Sequence, residues 1–436
     1  MTSRLARIAA LWLASPVFCA AAAAAEEYEK PPELEAKEFL PQTVLKTADY
    51  EVQPKVQNDG FFNTYTIVTA PTTFETTGTS LVEIRIVEIN ALVRLRDMDK
   101  AAVAAGGVAT SIFRMGTGTF HLLTNPVGTA QGLGDGAKRF FDRLGRGARR
   151  TVEKVDAPSE ASGSGASTAS KVADASGGAA MDLLGVNRSM RAWARKLGVD
   201  PYTRNPVLRK ALQEVAAYDA GGQLATKFLP LGAVGTALGA ATTVNTLVWD
   251  KDPDELVTWI EQRLDAMGMT LSESQGFRLN PNYGLTRQTE IVGALDGMPG
   301  VEGRPGFIRE AGLARDEAEA QFFLESALMM ADRHREKADL FRIIPEAPGA
   351  CVTTRSGAAA CFFPLDYVAW TQGVAEQADR IAKAIPGSIP KEKREVLLTG
   401  KVSERTRREL ARRSGSLRTD TPVVPLPAPG TTAATR

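Results

Sequence analysis

Residues Arg315 to Lys337, with the sequence RDEAEAQFFLESALMMADRHREK, carry the clearest helical pattern in this chain of 436 residues. Large apolar side chains recur there at the three- and four-residue spacing of a helix that buries one face. The side chains predicted to point inward are Phe322, Phe323, Leu324, Leu328 and Met329. Because similar patterns fill much of the chain on either side, the sequence predicts a mainly α-helical fold with small β elements.

Capping residues mark helix starts on the N-terminal side of this stretch. Asn205 directly precedes Pro206, which is the preferred order of N-cap and first helical residue. Asp252 and Glu255 have the spacing of a capping box. The acidic residues between Asp250 and Glu261 also match part of a calcium-binding loop, but a glutamate stands where that loop needs glycine. The capping box explains all of these residues, so no metal site is predicted.

A β-hairpin is predicted on the C-terminal side, where the sequence CVTTRSGAAAC runs from Cys351 to Cys361. A three-residue turn at 355–357 places Gly357 in the left-handed conformation that such turns require. The two cysteines then lie directly opposite each other, at a distance that a disulfide can span. We therefore predict a disulfide-linked hairpin at 351–363, with two separately buried thiols as the alternative.

Short strands are predicted near residues 61–77, where threonine, β-branched and aromatic side chains are concentrated. The prolines and acidic residues of 26–60 indicate an extended arm before these strands. After them, residues 80–98 have helical spacing, and Ser80 with Glu83 forms a capping box. Strand-like alternation over part of that segment is the competing interpretation.

A segment of almost nothing but serine, alanine, glycine and threonine divides the chain at residues 156–180. Such a composition buries too little apolar surface to offset the entropy of ordering, so we predict a flexible linker. The linker separates an N-terminal α+β region, residues 26–155, from a helical domain at 181–413 that contains the hairpin. The proline-rich residues 414–436 are predicted to form a disordered tail.

Residues 1–25 have the pattern of a secretory signal peptide. Arg4 and Arg7 precede an apolar stretch, Ile8–Phe18, and the alanines that follow contain an A-x-A cleavage pattern. Cleavage there predicts an exported protein of the periplasm or outer envelope, where the two remaining cysteines can be oxidised. The alternatives are an uncleaved N-terminal anchor and a lipoprotein signal at Cys19.

A basic amphipathic helix, residues 136–155, ends the N-terminal region. Apolar side chains occupy one face and basic ones crowd the other, as in helices that lie at a membrane interface. Contact with an anionic lipid surface would involve Lys138, Arg139, Phe140, Phe141, Arg143, Arg146, Arg149 and Arg150. The other interpretation is a surface helix whose aromatic pair enters the core and whose charges are solvated.

The stretch Phe228–Trp249 contains no charged residue, and as a helix it is long enough to cross a bilayer core. Gly232, Gly235 and Gly239 recur at a spacing that lets two helices approach closely. Few large aliphatic side chains accompany them, which favours burial within the protein over a membrane span. We therefore predict that these glycines are helix-packing residues.

Patterns that indicate catalysis are scarce in this sequence. The only two histidines, His121 and His334, are far apart, and the HExxH, CxxC and GxSxG patterns are missing. No catalytic residue, cofactor or metal ligand is therefore predicted, and Glu319 and Glu325 of the long helix are interpreted as solvated. Two carboxylates distant in sequence leave no pattern, so a deep pocket with converging carboxylates would still favour a hydrolase.

The formal net charge of +1 gives no reason to expect a nucleic-acid partner. The sequence instead predicts an exported, non-catalytic protein of the cell envelope, with an unidentified protein or envelope component as its partner. The first alternative is a protein that associates with or inserts into membranes through the basic helix and the glycine-spaced stretch. The second alternative is a hydrolase that uses carboxylate chemistry.

Overall fold

The computed structural model describes residues 28–69, 72–104, 138–144, 185–220, 246–345, 347 and 349–425. Helices make up about 51% and strands about 17% of the structure, with sheets of 5, 5 and 2 strands. The fold is therefore mixed α/β, and the prediction of a mainly α-helical protein with small β elements is wrong. Most of the strands that the sequence did not reveal are two to five residues long, too short for alternation to be recognised.

The first sheet is antiparallel and consists of β1 (Glu33–Glu35), β2 (Tyr50–Val52), β3 (Lys55–Asn58), β4 (Asn63–Thr69) and β5 (Thr72–Thr77). The central strand β4 pairs with β2, β3 and β5, and β1 pairs with β3. β4 and β5 confirm the strands predicted near 61–77. The extended arm predicted for 26–60 is wrong, because Tyr50, Val52 and Val56 of that segment are buried in the core.

Helices surround this sheet and fill the middle of the chain. They are α1 (Thr79–Ala104), α2 (Val186–Leu197), α3 (Pro206–Ala220), α4 (Thr246–Asp250), α5 (Pro253–Ala266), α6 (Gln275–Arg278), α7 (Leu285–Asp296), α8 (Arg304–Ala311), α9 (Glu317–Lys337), α10 (Gln372–Ala384) and α11 (Glu404–Arg413), with a helical segment at 138–144. The caps predicted at Asn205 and Asp252 are confirmed, whereas α1 begins at Thr79, so Ser80 lies inside that helix and not at its N-cap as predicted. Asn205 Oδ1 accepts a hydrogen bond of 3.1 Å from the backbone N–H of Val207, and Asp252 forms a capping box with Glu255.

The second sheet consists of β6 (Leu340–Ile343), β7 (Ala350–Thr354), β8 (Ala359–Phe363), β10 (Arg394–Leu398) and β12 (Ser416–Arg418). β6, β7 and β8 are antiparallel, whereas β10 lies parallel to both β8 and β12. The crossovers that parallel pairing requires run through α10 and α11. β9 (Tyr367–Val368) and β11 (Lys401–Val402) pair in a short third sheet.

The C-terminal residues differ from the predicted disordered tail at 414–436. β12 pairs there with β10, and Val423 packs against the core. Residues 426–436 lie outside the described residues. A three-residue strand has little pattern of its own, and its position depends on the parallel partner that α11 brings beside it.

The predicted hairpin forms from β7 and β8. Cys351 pairs with Cys361 in the predicted register, and Gly357 has a φ of 74°, in the left-handed region. The two sulfur atoms lie 2.04 Å apart, at the distance of a disulfide bond. The turn and the register were therefore both readable from the local sequence.

Two clusters of buried apolar side chains form the core. One surrounds α9 and the second sheet, and the other lies between the first sheet, α1, α2 and α3. The second cluster draws on residues from both sides of the predicted linker at 156–180, which itself lies outside the described residues. The predicted division into two regions therefore does not separate two cores.

The long helix α9 is buried on more sides than its sequence predicted. Phe322, Phe323, Leu324, Leu328 and Met329 are all buried, as predicted. Its polar residues Glu319, Gln321 and Glu325 are buried as well, so the interpretation of Glu319 and Glu325 as solvated is wrong. The reason is that α1, α7 and the 138–144 segment cover the face that the sequence assigns to solvent.

Candidate functional site

Among the described residues that were predicted to contact membranes, the two aromatic side chains are buried and two of the cations form ion pairs. Phe140 and Phe141 are each 2% exposed, and their ring centroids lie 5.2 and 5.4 Å from that of Phe322 in the core. Lys138 is paired with Asp142 and Glu376, and Arg143 with Glu319. Arg139 lies on the same segment. Both aromatic rings are internal, as in the alternative interpretation, but Lys138 and Arg143 form ion pairs instead of being solvated.

Other predicted site residues lie outside the described residues. These are Arg146, Arg149, Arg150, Gly232, Gly235 and Gly239. Among the helices that the structure describes, none is both long enough and apolar enough to cross a membrane.

A cavity of about 390 Å³ lies where the start of α1, the middle of α9 and the loops after β8 and β10 meet. This volume is in the range of small-molecule binding sites. Its lining includes the rings of Phe39, Phe62 and Phe322 and one ammonium group, that of Lys401. The carboxyl groups in the lining are those of Glu38, Glu83, Glu290, Glu325, Asp366 and Asp420. The cavity is therefore strongly acidic.

Lys401 does little to neutralise this charge inside the cavity. Its ammonium donates a hydrogen bond of 3.1 Å to the backbone carbonyl of Glu38 and lies over the ring of Phe39. These contacts hold the ammonium group at the rim, beside the first sheet.

Glu325, on α9, is the most deeply buried acid of the cavity. Its carboxyl group accepts a hydrogen bond of 2.8 Å from Gln321 Nε2 and another from the hydroxyl of Ser80. Burial raises the pKa of Glu325 to about 7, although both hydrogen bonds act to lower it. Glu325 can therefore gain or lose a proton near neutral pH.

Glu83, on α1, reaches the same cavity from the opposite wall. Its carboxyl group forms no hydrogen bond or ion pair with any described residue and is only half-buried. The pKa of Glu83 is raised to about 7, mainly by burial and in part by the charges of Glu325 and Asp366. Because the charge of Glu325 raises the pKa of Glu83, ionisation of one of these glutamates disfavours ionisation of the other.

Asp366 has a structural role at the end of the cavity. Its two carboxyl oxygens accept hydrogen bonds from the backbone N–H groups of Asn63, at 2.8 Å, and Thr79, at 3.0 Å. Burial raises the pKa of Asp366, and these hydrogen bonds oppose the rise. Since Thr79 is the first residue of α1, Asp366 fixes the start of that helix to the loop after β8.

A network of ion pairs adjoins the acidic cavity along α9. Glu317 binds Arg85 of α1, and its other oxygen lies 2.8 Å from a guanidinium nitrogen of Arg287 on α7. Arg287 Nε also donates a hydrogen bond of 2.9 Å to Gln321 Oε1, and the amide nitrogen of Gln321 binds Glu325. These two hydrogen bonds fix the orientation of the Gln321 amide, and they link the network of ion pairs to the cavity.

The sequence did not reveal Glu83, Glu325 and Asp366 as a group, because the fold brings them together from three distant segments. One signal was present for Glu325. It shares a helical stripe with Gln321, Leu324 and Leu328, and all four residues line the cavity. An acidic residue within an apolar stripe indicates a buried carboxyl group.

Within the part of the chain that the structure describes, no three His, Cys, Asp or Glu side chains are arranged to hold a metal ion. No protein-family model, curated protein or solved structure matches this chain.

Proposed function

We propose that this protein is a hydrolase that uses carboxylate chemistry, with Glu83 and Glu325 as the reacting pair. The observation that carries this proposal is that two glutamates in different environments line one cavity of about 390 Å³. The sequence left this function open on the condition that a pocket with converging carboxylates exists. The two environments also divide the roles between the glutamates.

Glu83 is the proton donor in this proposal. Among the residues that the structure describes, it has no hydrogen-bonding partner that would favour the charged form, and a raised pKa favours a protonated carboxyl group near neutral pH. Glu325 is the proton acceptor, because Ser80 and Gln321 donate hydrogen bonds that favour its carboxylate. Glu325 takes a proton from water as the oxygen attacks, and Glu83 gives its proton to the leaving group as the bond breaks.

The charge of the cavity limits the substrates that can enter. Six carboxyl groups and one ammonium line it, so an anionic substrate would meet repulsion in a partly dehydrated space. Three aromatic rings offer apolar faces. We therefore propose a neutral or cationic substrate with an apolar portion, such as a glycoside, or an amide with a basic group.

The test uses the full mature chain with chromogenic glycosides, esters and amides that are neutral or cationic. Glu83→Gln and Glu325→Gln should each lower kcat by about 10² to 10⁴ fold, the usual contribution of a general acid or base. Glu38→Gln is the matched control, since it removes a cavity carboxyl group that has no role in the reaction. The pH–rate profile should be bell-shaped around neutral pH, because only the singly protonated pair is active.

Turnover that survives in both variants would contradict the roles of Glu83 and Glu325.

The second candidate function is that of an exported, non-catalytic protein of the cell envelope. The aromatic and acidic lining of the cavity favours this function, because such a lining can bind a cation. That function predicts saturable binding of an amine without product formation. Mass spectrometry of the protein recovered from the periplasm tests export, and a chain beginning at Glu26 is expected.

A further inference from the structure

The charge of this protein is unevenly distributed along the chain. Residues 391–418 carry ten lysines and arginines against four aspartates and glutamates, although the formal net charge of the whole chain is only +1. This segment contains β10, β11, α11 and β12. An excess of positive charge in one ordered segment creates a local electrostatic field, which the net charge of the whole chain does not reveal.

One face of α11 is fixed to the protein body. Thr406 is buried, Leu410 packs against the core, and the Arg413 guanidinium lies 4.9 Å from the ring centroid of Trp370. The positions of these residues define the inward face of the helix. Because a helix turns about 100° per residue, Arg405, Arg408 and Arg412 share a stripe on its outer side.

The arginines of the outer side are weakly neutralised. Arg407 and Arg408 are exposed and form no ion pair with any described residue. Arg412 pairs with Glu409 at 2.6 Å, but the Arg412 side chain is 72% exposed, so this pair contributes little. Arg405 is only partly exposed, and its Nε is buried without a hydrogen-bonding partner within the described structure.

A second group of cations lies at the C-terminal end of the helix. The turn Lys391–Lys393 passes against the backbone of Gly415, where an added Cβ would lie 2.3 Å from the carbonyl oxygen of Glu392. Both lysines are exposed. These lysines and the arginines of the helix are here called the basic face: Lys391, Lys393, Arg405, Arg407, Arg408 and Arg412.

We propose that the basic face docks this protein on a membrane surface that contains anionic phospholipid. Each lysine or arginine close to such a surface contributes to attraction, and several together give peripheral binding. Residues 391–418 contain no Phe, Tyr or Trp, so the basic face has no ring on which a nucleic-acid base could stack. The proposal concerns a different surface from the acidic cavity and does not depend on the proposed hydrolase.

This docking site differs from the membrane contact that the sequence predicted. The aromatic pair of the 138–144 segment is buried in the core. The outer face of α11 instead carries charged side chains, without apolar side chains that could insert into a membrane. Binding should therefore be electrostatic and reversible, and salt should weaken it strongly.

The test is sedimentation of the full mature chain with vesicles. We expect binding at low salt to vesicles of phosphatidylcholine mixed with phosphatidylglycerol, and loss of binding to vesicles of phosphatidylcholine alone. The variant R405Q/R408Q/R412Q should weaken binding on the order of a hundredfold, given the contribution of each basic side chain. The variant K37Q/K46Q/K210Q changes the net charge equally at exposed positions elsewhere, and it should bind like the wild type.

Equal losses in the two triple variants, or full binding by R405Q/R408Q/R412Q, would overturn the proposal. Binding to single-stranded DNA or to an acidic polysaccharide, with no binding to the mixed vesicles, would overturn it too. Circular dichroism checks that each variant folds. Should the triple variant be unfolded, Arg408→Gln alone, at an exposed position, should still weaken vesicle binding about fivefold.

Discussion

Glu317 and Glu325 lie on the same helix, about two turns apart, yet the pKa values of their carboxyl groups are shifted in opposite directions. Burial alone would raise the pKa of Glu317, but Arg85 and Arg287 outweigh it and lower that pKa to about 2. Glu325 has neutral donors in place of arginines, and its pKa rises to about 7. For these two acids, the charge of the partners therefore decides whether the pKa falls or rises.

This contrast separates a structural region from a reactive one. Around Glu317, cations from α1 and α7 hold three helices together through permanent charges. Around Glu325, uncharged partners leave a proton free to exchange with the cavity. Gln321 touches both regions, so the contrast can be tested from either side.

The largest effect should come from Arg287→Met, which removes a cation from the charged region. Glu317 then keeps its ion pair with Arg85 and the charge of Arg204, and Gln321 Oε1 loses its donor. We expect the free energy of unfolding at pH 7 to fall by about 3 kcal/mol, as for a disrupted buried ion pair. Urea denaturation measures the change.

Arg209→Met is the control for this prediction, because Arg209 is exposed on α3. Its effect should stay within about 0.5 kcal/mol, the usual range for surface substitutions. If both variants lost the same small amount of stability, the charged region would not stabilise the contact between α1, α7 and α9.

The second effect is the pH dependence of stability. Between its unfolded pKa, near 4.5, and about 7, Glu325 binds more proton when folded, so the free energy of unfolding falls as pH rises. We expect a loss of about 2 kcal/mol from Glu325 between about pH 5 and pH 7. Glu317 acts oppositely: its pKa of about 2 costs stability only as pH falls from 4.5 towards 2.

The variant Glu325→Gln isolates this contribution, because glutamine resembles the protonated acid and does not titrate. Its stability should match that of the wild type near pH 5 and exceed it above pH 7. A variant whose pH dependence parallels that of the wild type would show that Glu325 is ionised throughout this range.

The sequence predicted the parts of this fold that depend on neighbouring residues. The helix α9, the cap at Asn205, the capping box at Asp252 and the hairpin from Cys351 to Cys361 were all readable locally. Each depends on spacing within one segment. The sequence pattern that predicts each of them therefore requires no tertiary contact.

The parts that it did not predict depend on distant partners. β10 and β12 are short strands whose pairing exists only after α10 and α11 complete the crossovers. The cavity also depends on contacts between distant segments. From the sequence, Glu83 was therefore interpreted as a capping residue and Glu325 as a solvated one. Their shared environment is a property of the packing between α1 and α9.

Gln321→Met should have an intermediate effect, because it cuts the connection between the two regions. Arg287 Nε loses its acceptor, and Glu325 loses one donor. We expect a loss of about 1.5 kcal/mol in the free energy of unfolding, in the range for an unsatisfied buried polar group. Gln372→Met, at an exposed position on α10, is the matched control and should be nearly neutral. A similar cost in both variants would mean that the two regions are independent.

Ser80→Ala should give the smallest change and the most specific one. It removes one hydrogen bond that lowers the pKa of Glu325 and leaves the ion pairs of Glu317 untouched. The pKa of Glu325 should therefore rise further, and the fall in stability with increasing pH should extend to higher pH. Deleting this hydrogen bond should cost about 1 kcal/mol where Glu325 is ionised, and less where it is protonated. Ser80→Thr keeps the hydroxyl group and should restore the wild-type profile, whereas an unchanged profile in Ser80→Ala would mean that Ser80 does not influence the charge of Glu325.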